Sequence, residues 1–122
     1  MIRPVALLTT LIGSFLAPQS ISDPKPQPTI QSKPAYSDPI QQEIYVQAKL
    51  HDFNVDTAMR LAKCESNFDQ YARNPNSSAS GIYQFIDSTF QNYCSGNVFN
   101  TTDNIQCFMK LYKAHPNWWE CK

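Results

Sequence analysis

Ala62-Lys63-Cys64-Glu65-Ser66-Asn67-Phe68 (residues 62–68) closes a segment of helical periodicity and sets an acid where an apolar residue is expected. Ala58, Leu61 and Ala62 lie seven, four and three positions before Glu65, which is the spacing of one helical face. A carboxyl group held against apolar surroundings loses hydration of its charged form, so its pKa rises. Kept protonated near neutral pH, such an acid can donate a proton to a leaving group. A shift in helical register would instead turn Glu65 toward water, so the catalytic and the solvated readings both stand on spacing alone.

Upstream, Asp38-Pro39 is a helix start, with an N-cap acid and a proline at the first helical position. Ile40, Ile44, Ala48 and His51 mark one face of a first helix ending around Phe53. Asn54 breaks it, and Asp56 is the expected cap of a second helix that runs to about Asn67 and delivers Glu65. A polar loop over 69–80 contains Asn74-Pro75-Asn76-Ser77-Ser78, which is turn chemistry. Gly81-Ile82-Tyr83-Gln84-Phe85 is an apolar patch around a lone Gln, readable as a short strand or a tight turn. Asp87 or Ser88 then caps a short helix to Tyr93 or Cys94, and a loop follows over 95–102. The last helix is expected from Asp103, with Ile105, Phe108, Met109 and Tyr112 facing the core and Pro116 ending it.

The 122 residues allow one small domain. Residues 1–22 read as a signal peptide: Arg3 lies in a short basic start, residues 5–17 are mostly apolar, and Ser20 and Ser22 suit cleavage after Ser22. An apolar run of that length is short for a bilayer span; an uncleaved anchor is the competing reading. Residues 23–37 form a linker kept extended by Pro24, Pro26, Pro28 and Pro34. The folded domain is expected over 38–122. Ten basic residues balance ten acidic ones, and removal of 1–22 takes only Arg3, leaving nine against ten, or −1. Without a basic stripe, nucleic-acid binding is not supported.

Cys64, Cys94, Cys107 and Cys121 are the four cysteines. In a small exported domain they read as two disulfides, with three pairings open. No Cys-x-x-Cys pair occurs, and His51 and His115 sit outside ligand spacing, which argues against zinc. No cofactor and no metal is expected.

These segments together are more specific than Glu65 alone. Cys64-Glu65-Ser66-Asn67-Phe68, Ala72-x-Asn74, Ser77-x-Ala79-x-Gly81-Ile82-Tyr83-Gln84-Phe85 and Ser88-Thr89-Phe90 resemble the soluble lytic transglycosylase domain of the lysozyme-like superfamily. That family pairs a helix-end Glu-Ser with a later Gly-x-x-Gln; here Gly81 and Gln84 lie 16 and 19 residues after Glu65. The Cys-Glu-Ser and Gln-Phe pieces are also similar to resuscitation-promoting factors. The resemblance covers residues 40–122 and implies a mainly α, lysozyme-like domain. Four or five helices, at most a minimal β-hairpin and two disulfides are expected.

It further implies an exported enzyme, secreted, periplasmic or wall-associated, that cleaves the β-1,4 bond between N-acetylmuramic acid and N-acetylglucosamine in peptidoglycan. Glu65 takes the place of the single catalytic Glu, first acid and then base, closing a 1,6-anhydro ring. Ser66, Gln84, Gly81 and Tyr83 fall on substrate-binding positions: Ser66 beside the acid, Gln84 as groove amide, Gly81 for close backbone passage or equally for a turn of positive φ, and Tyr83 as a sugar-stacking ring or equally as a packed one. Phe68, Phe85 and Phe90 are core residues. The implied partners are glycan strands, with no nucleic acid, no membrane once the signal is removed, and a monomeric chain. Muramidase activity and a catalytically inactive glycan-binding module are the alternatives; for hydrolysis Asp87 or Asp69 would hold the water, although a helix cap and a solvated loop charge explain them better. The family's Ala-Tyr-Asn-x-Gly segment, whose Tyr supports the catalytic Glu, has no counterpart, leaving Tyr112, Trp118 and Trp119 as late aromatics for that place. Small relatives carry a late Cys near a Trp, which implies Cys64–Cys121 and Cys94–Cys107.

Overall fold

The computed structural model describes residues 36–121. The signal segment and the linker up to residue 35 lie outside the described residues. Four helices follow in order: α1 (Pro39–Leu50), α2 (Val55–Ser66), α3 (Asp87–Tyr93) and α4 (Thr101–Ala114), then a 3-10 turn over Pro116–Trp118. The fold is mainly α, as the sequence leads one to expect. Its β content among the described residues is two isolated bridges, Arg73 to Ser80 and Ser80 to Phe85.

Local chemistry explains each start and stop. Asp38 caps α1 by accepting the Ile40 N–H at 2.9 Å, with Pro39 at the first position. The helix ends at Leu50, three residues before the expected Phe53, because the chain turns through Asp52 at φ 51. Asn54, expected only to break α1, is the cap of α2 and accepts the Thr57 N–H at 2.8 Å. Asp56 therefore sits in the first turn, where a carboxylate complements the helix dipole. Asn100 likewise caps α4, accepting the Asp103 N–H at 3.0 Å, so that helix begins two residues before the expected Asp103. Helix α3 is capped by Ile86 without a side-chain bond, which places Asp87 inside the first turn rather than at the cap.

Helix α1 packs against α2 and α4, and the 3-10 turn packs against α4. Ile44 and Ala48 of α1, Ala58, Leu61 and Ala62 of α2, and Ile105, Phe108 and Met109 of α4 are buried. The apolar spacings of the sequence thus face one core. Phe85 and Phe90 are buried in it, and Phe68 packs at its edge. Phe108 is its centre: Tyr83 stacks on it at 3.6 Å between ring centroids, and Trp119 meets it edge-on at 5.0 Å. Each such fully buried large side chain contributes about 1.5–3 kcal/mol relative to an exposed one.

The disulfides join Cys64 to Cys121, with Cα atoms 5.9 Å apart, and Cys94 to Cys107, with Cα atoms 5.6 Å apart. This is the pairing implied by the resemblance. The first ties the C-terminal tail to the end of α2; the second ties the end of α3 to α4.

Candidate active site

Glu65 occupies the last turn of α2. Asn67 ends the helix in the left-handed conformation, φ 53, and its N–H returns to the Lys63 carbonyl at 2.9 Å. Phe68 follows at φ 64, an unusual conformation for a bulky residue. This double left-handed turn leads the chain away and leaves Glu65 at a cleft rather than beneath a continuing helix. The cleft has a volume of about 340 Å³. Glu65 shares it with Asn74, Gln84, Trp118, Trp119 and Glu120.

Glu65 is half-buried, and its pKa is raised above the ordinary Glu value. Loss of hydration by burial is the largest cause. Hydrogen bonding from the Cys121 backbone N–H opposes it, and the negative charge of Glu120 adds to it. Both of these influences come from the tail that the Cys64–Cys121 bond holds in place. The chemistry available is that of a carboxylic acid able to release and recover one proton.

Gln84 lines the same cleft. It sits in the left-handed region at φ 52, and its side-chain nitrogen donates to the Gly81 carbonyl at 2.9 Å and the Ala72 carbonyl at 3.2 Å. Those two acceptors commit the amide nitrogen to the protein and orient the amide oxygen as the remaining polar end. The turn itself is closed by reciprocal Ser80 and Phe85 backbone bonds, both 3.0 Å. Gly81 is required within it: at φ 81, a Cβ would overlap the Asn104 side chain and the Val98 carbonyl. Gly81 is buried, so the close approach it permits is of protein to protein.

Ser66 stands beside Glu65 and donates its hydroxyl to the Ala62 carbonyl at 3.2 Å, back into its own helix. Tyr83 is placed differently from a sugar-stacking ring. It is fully buried, its ring lies on Phe108, and its hydroxyl donates to the Ala58 carbonyl at 2.8 Å. Burial holds that phenol above its ordinary pKa, so it remains a donor. Tyr83 supports the site from within.

Of the acids weighed for holding a water, neither lines the Glu65 cleft. Asp69 is exposed and accepts the Tyr71 N–H at 2.9 Å; Asp87 lines a separate depression with Phe90, Gln91 and Val98. The acid that does is Glu120, which sequence reasoning missed. A signal existed: Glu120 precedes Cys121 as Glu65 follows Cys64, so the disulfide alone brings the two carboxylates into one neighbourhood. Of the three late aromatics, Trp118 and Trp119 line the cleft, whereas Tyr112 packs on Phe53 and Phe108. Among the described residues, no three His, Cys, Asp or Glu side chains gather as a metal site. No described helix is long and apolar enough to cross a membrane.

Residues 44–120 match the transglycosylase SLT domain family. No curated protein and no solved structure matches the chain.

Proposed function

Because the chain belongs to the transglycosylase SLT domain family, we propose that it is an exported lytic transglycosylase that cleaves peptidoglycan between N-acetylmuramic acid and N-acetylglucosamine, with Glu65 as acid and then base. The observation that carries this reading is one half-buried acid of raised pKa, set in a cleft with an oriented amide. Glu65 begins protonated and gives its proton to the glycosidic oxygen as the C1–O bond breaks. The muramic acid C6 hydroxyl then attacks C1, and its proton passes to the Glu65 carboxylate. A 1,6-anhydro end forms, Glu65 is again protonated, and no water is consumed. Gln84 offers its amide oxygen to an N–H or hydroxyl of the sugar, and Ser66 stands beside the acid. Two disulfides and the apolar segment over 5–17 support export to an oxidising compartment.

A second reading is a muramidase, and the observation favouring it is Glu120. A second carboxylate on the same cleft is what a hydrolytic enzyme uses to activate water. Glu120 raises the pKa of Glu65 through its charge, which helps Glu65 hold the proton it must donate, and a single acid acting twice then accounts for the chemistry.

Digestion of purified peptidoglycan by the oxidised protein, followed by mass spectrometry of the released muropeptides, decides between them. Anhydro-muramic ends are expected; reducing ends establish the muramidase. If wild type and Glu65→Gln both release nothing, only glycan binding or a structural role remains.

A further inference from the structure

The Glu65 cleft does not end at Glu65. A second depression of about 390 Å³ adjoins it, lined by Thr89 and Asn117 together with Gln84, Ile86, Trp118, Trp119 and Glu120. Those last five residues also line the Glu65 cleft, so the two are one groove with a shared wall. Within that wall the paired tryptophans behave oppositely. Trp119 is 7% exposed and turned into the core, whereas Trp118 is 45% exposed and borders both halves of the groove.

Trp118 is also held in place. The His115 ring stacks parallel to its indole at 4.0 Å, covering one face, and Tyr93 meets it at 5.6 Å and 57°. Its backbone is the end of the 3-10 turn, with the Trp118 N–H bonded to the His115 carbonyl at 3.1 Å. Buried Trp119 and the Cys64–Cys121 bond anchor the next residues. A large aromatic ring that is solvent-facing yet fixed from three sides loses little freedom when a ligand settles on it. A flat ring with an apolar face suits the apolar face of a pyranose, while the polar groups around it suit the hydroxyl and acetamido edges.

We propose that Trp118 is the platform for a β-1,4-linked N-acetylated pyranose next to the bond at Glu65, so that the glycan strand runs from Glu65 past the tail toward Asn117 and Thr89. This rests on the glycan-groove reading above and adds a ring-binding subsite and a direction. The tail is then a binding element as well as a wall.

The test uses the full chain carrying Glu65→Gln, so that no turnover occurs, and the β-1,4 tetramer of N-acetylglucosamine as probe in isothermal titration calorimetry. Trp118→Ala should weaken binding about tenfold, the scale of one lost aromatic stack. Trp118→Tyr should retain affinity within about threefold, and Trp118→Leu, which keeps apolar bulk without a ring, should behave as Trp118→Ala. Far-UV circular dichroism checks that each variant is folded. Equal affinity in the Leu and Tyr variants, with the parent binding well, overturns the Trp118 subsite alone. Failure of the parent to bind the tetramer overturns the glycan groove, and this inference with it.

Discussion

Trp119 donates its indole N–H to the main-chain carbonyl of Tyr83 at 2.9 Å, inside the protein. Tyr83 in turn donates its hydroxyl to the Ala58 carbonyl of α2 at 2.8 Å. Three segments distant in sequence are thereby joined: the helix that carries Glu65, the turn that carries Gln84 and the tail that carries Glu120. Trp119 also packs edge-on against Phe85 at 5.6 Å and Phe108 at 5.0 Å. Trp119 thus braces the wall of the cleft from the interior.

Trp119→Phe should keep most of this packing and leave the Tyr83 carbonyl buried without its donor. The expected cost is about 1–3 kcal/mol in urea unfolding. Tyr83→Phe should cost less, about 1 kcal/mol, because the Ala58 carbonyl lies within a helix and keeps its helical partner. Peptidoglycan release by Trp119→Phe should also fall, since the tail is less firmly seated.

Asn104 is the polar residue the core depends on. It is 1% exposed, its oxygen accepts the Tyr83 N–H at 3.0 Å, and its nitrogen donates to the Val98 carbonyl at 2.8 Å. Asn104→Leu leaves the buried Tyr83 N–H and the half-buried Val98 carbonyl without partners and should destabilise on the order of 3 kcal/mol. Gly81→Ala pushes a methyl into the Asn104 side chain and the Val98 carbonyl and also requires a left-handed alanine, so a loss above ~1 kcal/mol is expected. Thermal melts of both variants check these values.

What was legible in the sequence followed short-range rules. The faces of α2 and α4 emerged from 3.6-residue periodicity, and the start of α1 from Asp38-Pro39. The caps at Asn54 and Asn100 were misread because each stands two or three residues before an Asp, Asp56 and Asp103, that also suits a helix start. Tyr83 stays open in the sequence between stacking on a sugar and packing, because its fate depends on Ala58, 25 residues earlier. Asn104 interrupts an otherwise apolar helix face, and its partners lie in loops whose paths no local pattern specifies. Glu120 depended on a disulfide across 57 residues, and the placement of Trp119 on a bond across 36.

The two disulfides should differ in what their loss removes. By loop closure, a bridge spanning 57 residues restricts the unfolded chain by about 4 kcal/mol, and one spanning 13 by about 3 kcal/mol. Stability alone therefore separates them little. Replacing Cys64 and Cys121 together by Ala should additionally release Glu120 and the Cys121 N–H from Glu65, and cut activity far more than the Cys94 and Cys107 pair replaced likewise. Turnover measured at a temperature where both variants are folded tests this.

Glu120→Gln should move the pH profile. In the proposed reaction Glu65 must be protonated at the start, so the rate falls as pH rises through its pKa. The Glu120 charge helps to hold that pKa up; removing it favours ionised Glu65 and lowers the pKa. The alkaline limb should shift to lower pH, leaving the variant slower at neutral pH and little changed in acid. Because burial is the larger cause, part of the elevation should persist. An unmoved alkaline limb would show that Glu120 does not act on the catalytic acid.

Glu65→Gln should separate stability from function. In the folded chain the Glu65 pKa lies above its ordinary value, so the folded state holds the proton more tightly than the unfolded state. Stability associated with this group is full below the unfolded pKa and declines as pH rises through the folded one. Above the unfolded pKa the buried acid is therefore a burden on the fold, and a neutral amide of the same size relieves it. Glu65→Gln should melt at or above the wild-type temperature at pH 7 and lose that advantage below about pH 4, where Glu65 is protonated in both states. Turnover should be abolished throughout. Melting curves at the two pH values read the sign directly, and a variant that melts lower at pH 7 would mean that the Cys121 N–H, not burial, dominates the environment of Glu65.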